Sequence, residues 1–157
     1  MRNAVALIIS IVIAQAAGLI GSFFTRDAIP TWYATLVRPS IAPPNWVFGP
    51  VWTTLYCLMG IAAFLIWKQY KTHPRAKQAL TVYGVHLIVN TAWSIVFFGQ
   101  QNIGLALAVI VVLIGMILWM MRLFMRIDKR AAYLLIPYLA WVSFATVLNY
   151  QFWKLNG

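Results

Sequence analysis

An all-α integral membrane protein, a bundle of five spanning helices, is the fold class this sequence predicts, and three observations predict it. The 157 residues are 63 % hydrophobic, with a mean hydropathy of +0.82. They hold 12 Lys+Arg against 2 Asp+Glu, with no glutamate at all. Uncharged apolar runs recur along the chain, each close to the roughly 20 residues that a spanning helix needs. A soluble domain carries roughly a quarter charged residues, whereas this chain carries 9 %. A soluble enzyme, a disordered chain and a nucleic-acid binder are excluded on that ground. The net charge of +10 reflects missing acids, and the bases cluster in short loops where they meet anionic headgroups.

The first span is expected over 4–25. Met1-Arg2, the apolar Val5 to Ala14 and then Ala14-Gln15-Ala16 also imitate a short signal peptide with its cleavage site. The apolar run continues through Leu19, Ile20, Phe23 and Phe24, which favours a span. Ala14, Gly18 and Ser22 set small residues on one face, as in close helix packing. The second span is expected over 47–68, because Pro43 and Pro44 exclude an earlier start and Pro50 is tolerated in a first turn. The third is expected over 79–99, the fourth over 103–121 and the fifth over 131–153, with Pro137 kinking its start. Strands of a membrane barrel would alternate over about ten residues and are excluded. No internal repeat divides the chain, which reads as a single domain, 1–157.

The longest connection, 26–46, contains Trp32, Tyr33, Pro39, Pro43, Pro44 and Trp46. That composition suits a stiff, folded lid at the interface, and it also suits the aromatic belt common to membrane proteins. Composition alone favours the belt. Five spans put the termini on opposite sides. Arg2, Lys68, Lys71, Arg75, Lys77, Arg122, Arg126, Lys129 and Arg130 fall on one side, and only Arg26, Arg38 and Lys154 on the other. This bias predicts the N-terminus inside.

No charged residue falls within the spans, since Asp27 and Asp128 both sit in loops. A carboxylate-driven transporter, which needs an ionisable relay at membrane depth, is therefore not expected. Cys57 is the single cysteine and excludes an intrachain disulfide. No metal site is expected: His86 has no second ligand at its depth, and the other histidine, His73, is in a charged loop.

His86, Asn90, Trp93 and Phe97 share one face of the third span. Buried amides and imidazoles in lipid need partners, so this face turns inward. The second span shows Trp52, Tyr56, Met59 and Ala63 at the same spacing, and the fifth shows Tyr138, Trp141, Ala145, Leu148 and Asn149. Three converging aromatic faces fit core packing, and they also fit a pocket for a flat hydrophobic ligand. Spacing does not choose between them. The fourth span, with Leu105, Val109, Val112, Leu113 and Met116, offers no polar handle and is expected to face lipid.

The segment Trp32-Tyr33 followed by RPSIAPPNWVFGPVWTTLY (38–56) closely resembles the tryptophan-rich sensory protein family, TspO/MBR. Its mitochondrial members are called translocator protein or peripheral benzodiazepine receptor. Asn90, Trp93 and Phe97-Phe98-Gly99 resemble the same family, as does PYLAWVSFATVLNY (137–150). The resemblance covers nearly the whole chain. It implies a five-helix bundle with a structured first loop as lid over a pocket. It implies a receptor or carrier for porphyrins such as protoporphyrin IX or haem, and in some members for sterols or isoquinoline-type ligands. Carried onto this sequence, Trp52, Tyr56, Asn90, Trp93, Phe97, Trp141, Ala145 and Leu148 are the expected ligand-binding residues, with Tyr33 in the lid.

Some family members degrade protoporphyrin in light, and the resemblance assigns that reaction to Trp52 and Trp141. Nothing in the chain supplies an ordinary acid, base or nucleophile, so catalysis here would be photochemical. A ligand-responsive regulator acting through a partner protein is the third reading. No cofactor is required by any of them. Val147, Tyr150 and Lys154 fit a loose sterol motif, equally readable as an interfacial helix end with a snorkelling lysine. Ile41 stands where many members place tryptophan, and His86 where glutamine is common. The resemblance also implies a homodimer, for which Gly104, Ala108, Gly115, Ala92 and Gly99 offer close packing. The short C-terminal tail favours a bacterial inner membrane over the mitochondrial outer membrane.

Overall fold

The structure, a computed structural model, describes residues 2–157. Met1, at the start of the signal-peptide reading, lies outside the described residues. Five helical segments among them are long and apolar enough to cross a membrane. The first is α1 (Arg2–Ala28), continued by a π turn over Ile29–Tyr33. Next come α2 (Phe48–Lys68) and α3 (Ala76–Ser94), the latter extended by a second π turn over Ile95–Gly99. They are followed by α4 (Ile103–Met125), the short α5 (Lys129–Tyr133) and α6 (Ile136–Asn156). α1 packs on α2 and α3, while α4 packs on α3 and α6.

Close packing is set by small residues at one end of the bundle. Ala62, Ala76, Ala79, Ala131 and Ala132 are fully or almost fully buried there, with Ile66, Ile117, Met120 and Phe124 between them. In lipid, helices associate through van der Waals fit, so small side chains that let backbones approach do most for stability. Gly60 marks a close approach of two helix backbones: a Cβ there would stand 2.6 Å from the Ile11 Cα. Toward the other end the facing residues become rings (Phe48, Trp52, Trp93, Trp141), and a cavity lies between them.

Three local features differ from the sequence reading, each for a physical reason. The connection expected over 26–46 is shorter, because helix continues through Tyr33 and on to Thr35. Pro30 has no N–H to give the preceding turn, and the widened π turn absorbs that loss instead of ending the helix. α4 runs to Met125, beyond the expected 121, since Arg122 in its last turn carries a long stem that reaches the interface. Nor does α4 face lipid all round. Ile103, Ala106, Ile110, Leu113, Ile117 and Met120 form a buried stripe at helical spacing, opposite exposed Leu105, Val112, Leu118 and Trp119. Among the small residues, Gly104 abuts Trp153 and Gly99 abuts Phe24, whereas Ala108 and Gly115 lie on the outer face of α4.

The fifth span breaks at Leu134–Leu135, just before Pro137, so the anticipated kink is a two-residue interruption between α5 and α6. Asp128 caps α5, its carboxylate accepting from the Arg130 N–H at 3.0 Å and pairing with the Arg130 guanidinium at 2.9 Å. The guanidinium's hydrogen bonds, with the backbone N–H adding to them, hold the carboxyl below the usual carboxylate range. A depressed value means the cap stabilises above the unfolded carboxylate's range and is lost as pH falls through the folded one. Asp128→Ala is expected to cost roughly 0.5–2 kcal/mol at neutral pH. Thermal melts of variant and wild type should converge in acid.

Candidate ligand cavity

A cavity of about 690 Å³ occupies the half of the bundle nearest the first connection. Pockets for small organic ligands span roughly 300–1,000 Å³, so the space suits one molecule of that class. α1, α2, α3 and α6 wall it, and α4 contributes nothing to the lining. Of the residues expected at a site, Tyr33, Trp52, Tyr56, Trp93, Phe97, Trp141, Ala145 and Leu148 all line it.

The rings form a continuous wall. Trp52 stacks on Tyr56 with centroids 5.6 Å apart, and Phe48 meets Trp141 edge-on at 6.0 Å. Trp93 lies 5.3 Å from Phe97, which in turn touches Phe98 at 4.8 Å. Tyr33 is almost wholly buried and lies among Phe97, Phe98 and Phe152. It anchors the connection that follows it. Val37 exchanges two hydrogen bonds with the Asn156 side chain at 2.8 and 3.0 Å, and the Arg38 guanidinium donates to the Pro43 carbonyl at 2.9 Å. Arg38 also sits 5.7 Å from the Tyr33 ring centre, within range of a cation–π attraction.

Asn90 lies behind the wall, outside the lining. Its side chain is buried between two tyrosines: the Tyr56 hydroxyl donates to Oδ1, and Nδ2 donates to the Tyr138 hydroxyl at 2.9 Å. A buried amide must be satisfied, and here the protein itself satisfies it. Asn149 is saturated likewise, accepting from the Trp93 indole at 3.0 Å and donating to the Ile103 carbonyl at 3.0 Å. Gln15 donates to the Thr53 carbonyl at 2.9 Å. Such internal bonding leaves the cavity an aromatic and apolar interior. One cation, Arg26, lines its rim, exposed and without an ion-pair partner among the described residues. The Trp141 indole N–H is buried with no partner.

Several lining residues escaped the sequence reading. Gln15, Gly18, Leu19, Ser22, Phe23 and Arg26 come from α1, Ile29 from the π turn that continues it, and Phe48, Phe98 and Phe152 complete the rings. The signal for α1 was the small-residue face: Gly18 lies against the Tyr56 ring so closely that any Cβ would overlap it. Leu19 and Phe23 are 69 % and 79 % exposed although they line the cavity, and Gly49 and Thr53 opposite them are exposed too. The cavity therefore opens sideways between α1 and α2. Val147, Tyr150 and Lys154 are exposed on the outer surface, away from this lining.

Comparison with known proteins bears on these positions. Residues 10–154 match the TspO/MBR family. The chain is 40 % identical to "Tryptophan-rich protein TspO" of Archaeoglobus fulgidus over 157 residues, covering 99 % of each chain. It is 40 % identical to the human "Translocator protein" over 138 residues, which is 87 % of this chain and 82 % of the human one. To the "Tryptophan-rich sensory protein" of Cereibacter sphaeroides it is 39 % identical over 125 residues, 80 % of this chain and 77 % of the relative. With the bundle, the aromatic cavity and this coverage in agreement, the chain belongs to the TspO/MBR family of integral membrane proteins.

Proposed function

We propose that this protein is a membrane receptor or carrier for a flat, hydrophobic, anionic ligand of the porphyrin class, held in the cavity between α1, α2, α3 and α6. The observation that carries this reading is the pairing of an aromatic interior with a single unpartnered cation at the rim. A macrocycle stacks on the indoles of Trp52 and Trp141 while its carboxylates reach Arg26. Stacking of aromatic rings is worth about 0.5–1.5 kcal/mol beyond area burial. Entry from the bilayer, through the gap beside Leu19 and Phe23, suits so apolar a molecule. Tyr33 and the connection up to Asn45, tied to α6 through Val37 and Asn156, act as the lid over the open end. The charge bias supports an orientation with this end outside and the N-terminus inside.

Titration of the detergent-purified protein with protoporphyrin IX in the dark, read by porphyrin absorbance, tests this. Saturable binding is expected. Arg26→Gln should weaken protoporphyrin IX and leave its dimethyl ester unaffected, since only the diacid offers carboxylates. Loss of a charge-assisted contact predicts a roughly 10-fold change, about 1.4 kcal/mol. No saturable binding, or equal effects on acid and ester, would overturn the proposal.

A light-driven reading is favoured by one further observation: both Trp52 and Trp141, readily oxidised indoles, line the same cavity. Illumination of the complex under oxygen, with loss of the porphyrin spectrum as readout, separates turnover from binding.

A further inference from the structure

From Tyr56 in the cavity wall a chain of buried polar groups runs behind it, to Asn90, Tyr138 and His86, none of which lines the cavity. His86 Nδ1 is 3.2 Å from the Tyr83 carbonyl, and Nε2 is 2.7 Å from the Tyr138 hydroxyl. A carbonyl only accepts, so Nδ1 carries the hydrogen and Nε2 presents its lone pair. Tyr138 therefore donates its O–H to His86 and accepts from Asn90 Nδ2, while Tyr56 donates to Asn90 Oδ1. Every proton in the network then points one way, from Tyr56 through Asn90 and Tyr138 to His86. An imidazolium in the same place would strand the Tyr138 proton and bury an unpaired charge, which is costly. His86 is thus a neutral base, fully buried, aimed at a phenol.

Trp52 touches both tyrosines, its ring 5.6 Å from Tyr56 and 6.3 Å from Tyr138. A phenol gives up an electron readily only when its proton has somewhere to go. Tyr56 donates to an amide oxygen, which is no base, whereas Tyr138 donates to imidazole. We propose that Tyr138 and His86 form a redox-active pair that takes an oxidising equivalent from Trp52. A photoexcited aromatic sensitiser in the cavity accepts one electron from Trp52, leaving the indole a radical cation. Tyr138 then returns one electron to Trp52 and passes its hydroxyl proton to His86 Nε2. The products are neutral Trp52, a Tyr138 phenoxyl radical and a His86 imidazolium, with the sensitiser reduced by one electron. Nδ1–H keeps its bond to Tyr83, and Nε2–H donates back to the phenoxyl oxygen, so re-reduction restores the starting network. The equivalent is moved off the cavity surface and the lining indole is spared. This role rests on the cavity accepting a photosensitiser, as proposed above.

Laser photoionisation of the protein's own tryptophans tests the pair with no ligand present, so failure of porphyrin binding does not confound it. Tryptophanyl and tyrosyl radicals are followed by transient absorption and, after freeze-trapping, by electron paramagnetic resonance. Wild type should show tyrosyl radical growing as tryptophanyl decays, more slowly in deuterated water. Tyr138→Phe and Trp52→Phe should each remove the same part of that tyrosyl signal, and the double variant should remove no more. His86→Gln leaves Tyr138 an acceptor but no base, and should lose the same part even if Tyr138→Phe folds poorly. Tyrosyl yield unchanged in His86→Gln, or additive losses in the double variant, would overturn the pair. Success here with no protoporphyrin binding would leave the pair standing and remove porphyrin as its sensitiser.

Discussion

Gly60→Leu is expected to abolish the stable bundle. A Cβ at Gly60 meets the Ile11 Cα at 2.6 Å and the Ile11 nitrogen at 2.9 Å, and both are backbone atoms that no rotamer change can move. α1 must therefore back away from α2, opening the contact around the fully buried Ala14 and Met59. Overpacking of a well-filled core costs about 1–3 kcal/mol even for small additions, and an isobutyl group against backbone lies at or beyond that limit. Thermal melting in detergent together with gel filtration reads the effect. Gly115→Ala is the control, since nothing stands within 4 Å of a Cβ there. If the leucine variant melts with wild type, the close α1–α2 crossing is not what holds the helices together.

Trp52→Ala combined with Trp141→Ala should all but eliminate protoporphyrin binding. Both rings line the cavity, on opposite helices, and both are only partly buried, so the fold survives their loss better than that of Tyr138 or Phe152. Burial of apolar area contributes roughly 25 cal/mol per Å², and stacking adds to it. Each truncation is expected to weaken binding about 10-fold or more, which is about 1.4 kcal/mol apiece. Trp52→Phe, which keeps a ring, should lose less. The measurement is the absorbance titration, because removing indoles also removes the fluorescence that would report quenching. Wild-type affinity in the double variant would mean that the ligand sits elsewhere.

Spacing showed which rings share an inward face, and the family resemblance made those faces a pocket wall. Trp52 and Tyr56 are four residues apart on α2, Trp93 and Phe97 four apart on α3, Trp141 and Ala145 four apart on α6, and each pair lines the cavity. Helical period makes such pairs share a face, and large rings declare themselves by composition. α1 was harder to read because its contribution is space and not substance. Gly18 leaves room for the Tyr56 ring, and a glycine carries no sign of what will fill the room beside it. The resemblance puts Asn90 among the ligand-binding residues, and it does share the inward face with Trp93. One helical turn does not tell a residue at the surface of a cavity from one just behind it, and two tyrosine hydroxyls from α2 and α6 hold Asn90 behind. His86 was likewise legible as inward and polar, while its pairing with Tyr138, 52 residues away, was not.

The sequence by itself determined the solvent, the number of spans and the inward faces. Hydrocarbon excludes charge and unbonded backbone, so composition and run length leave few alternatives to five apolar helices. Only the tertiary structure decided where helix yields to π turn at Pro30 and which face of α4 is buried. It alone decided that polar groups bond to one another and leave the cavity aromatic with Arg26 at its rim. Those outcomes depend on the distance between helices. That distance is set by small and large side chains meeting across the bundle, a property of pairs remote in the chain that no local period encodes.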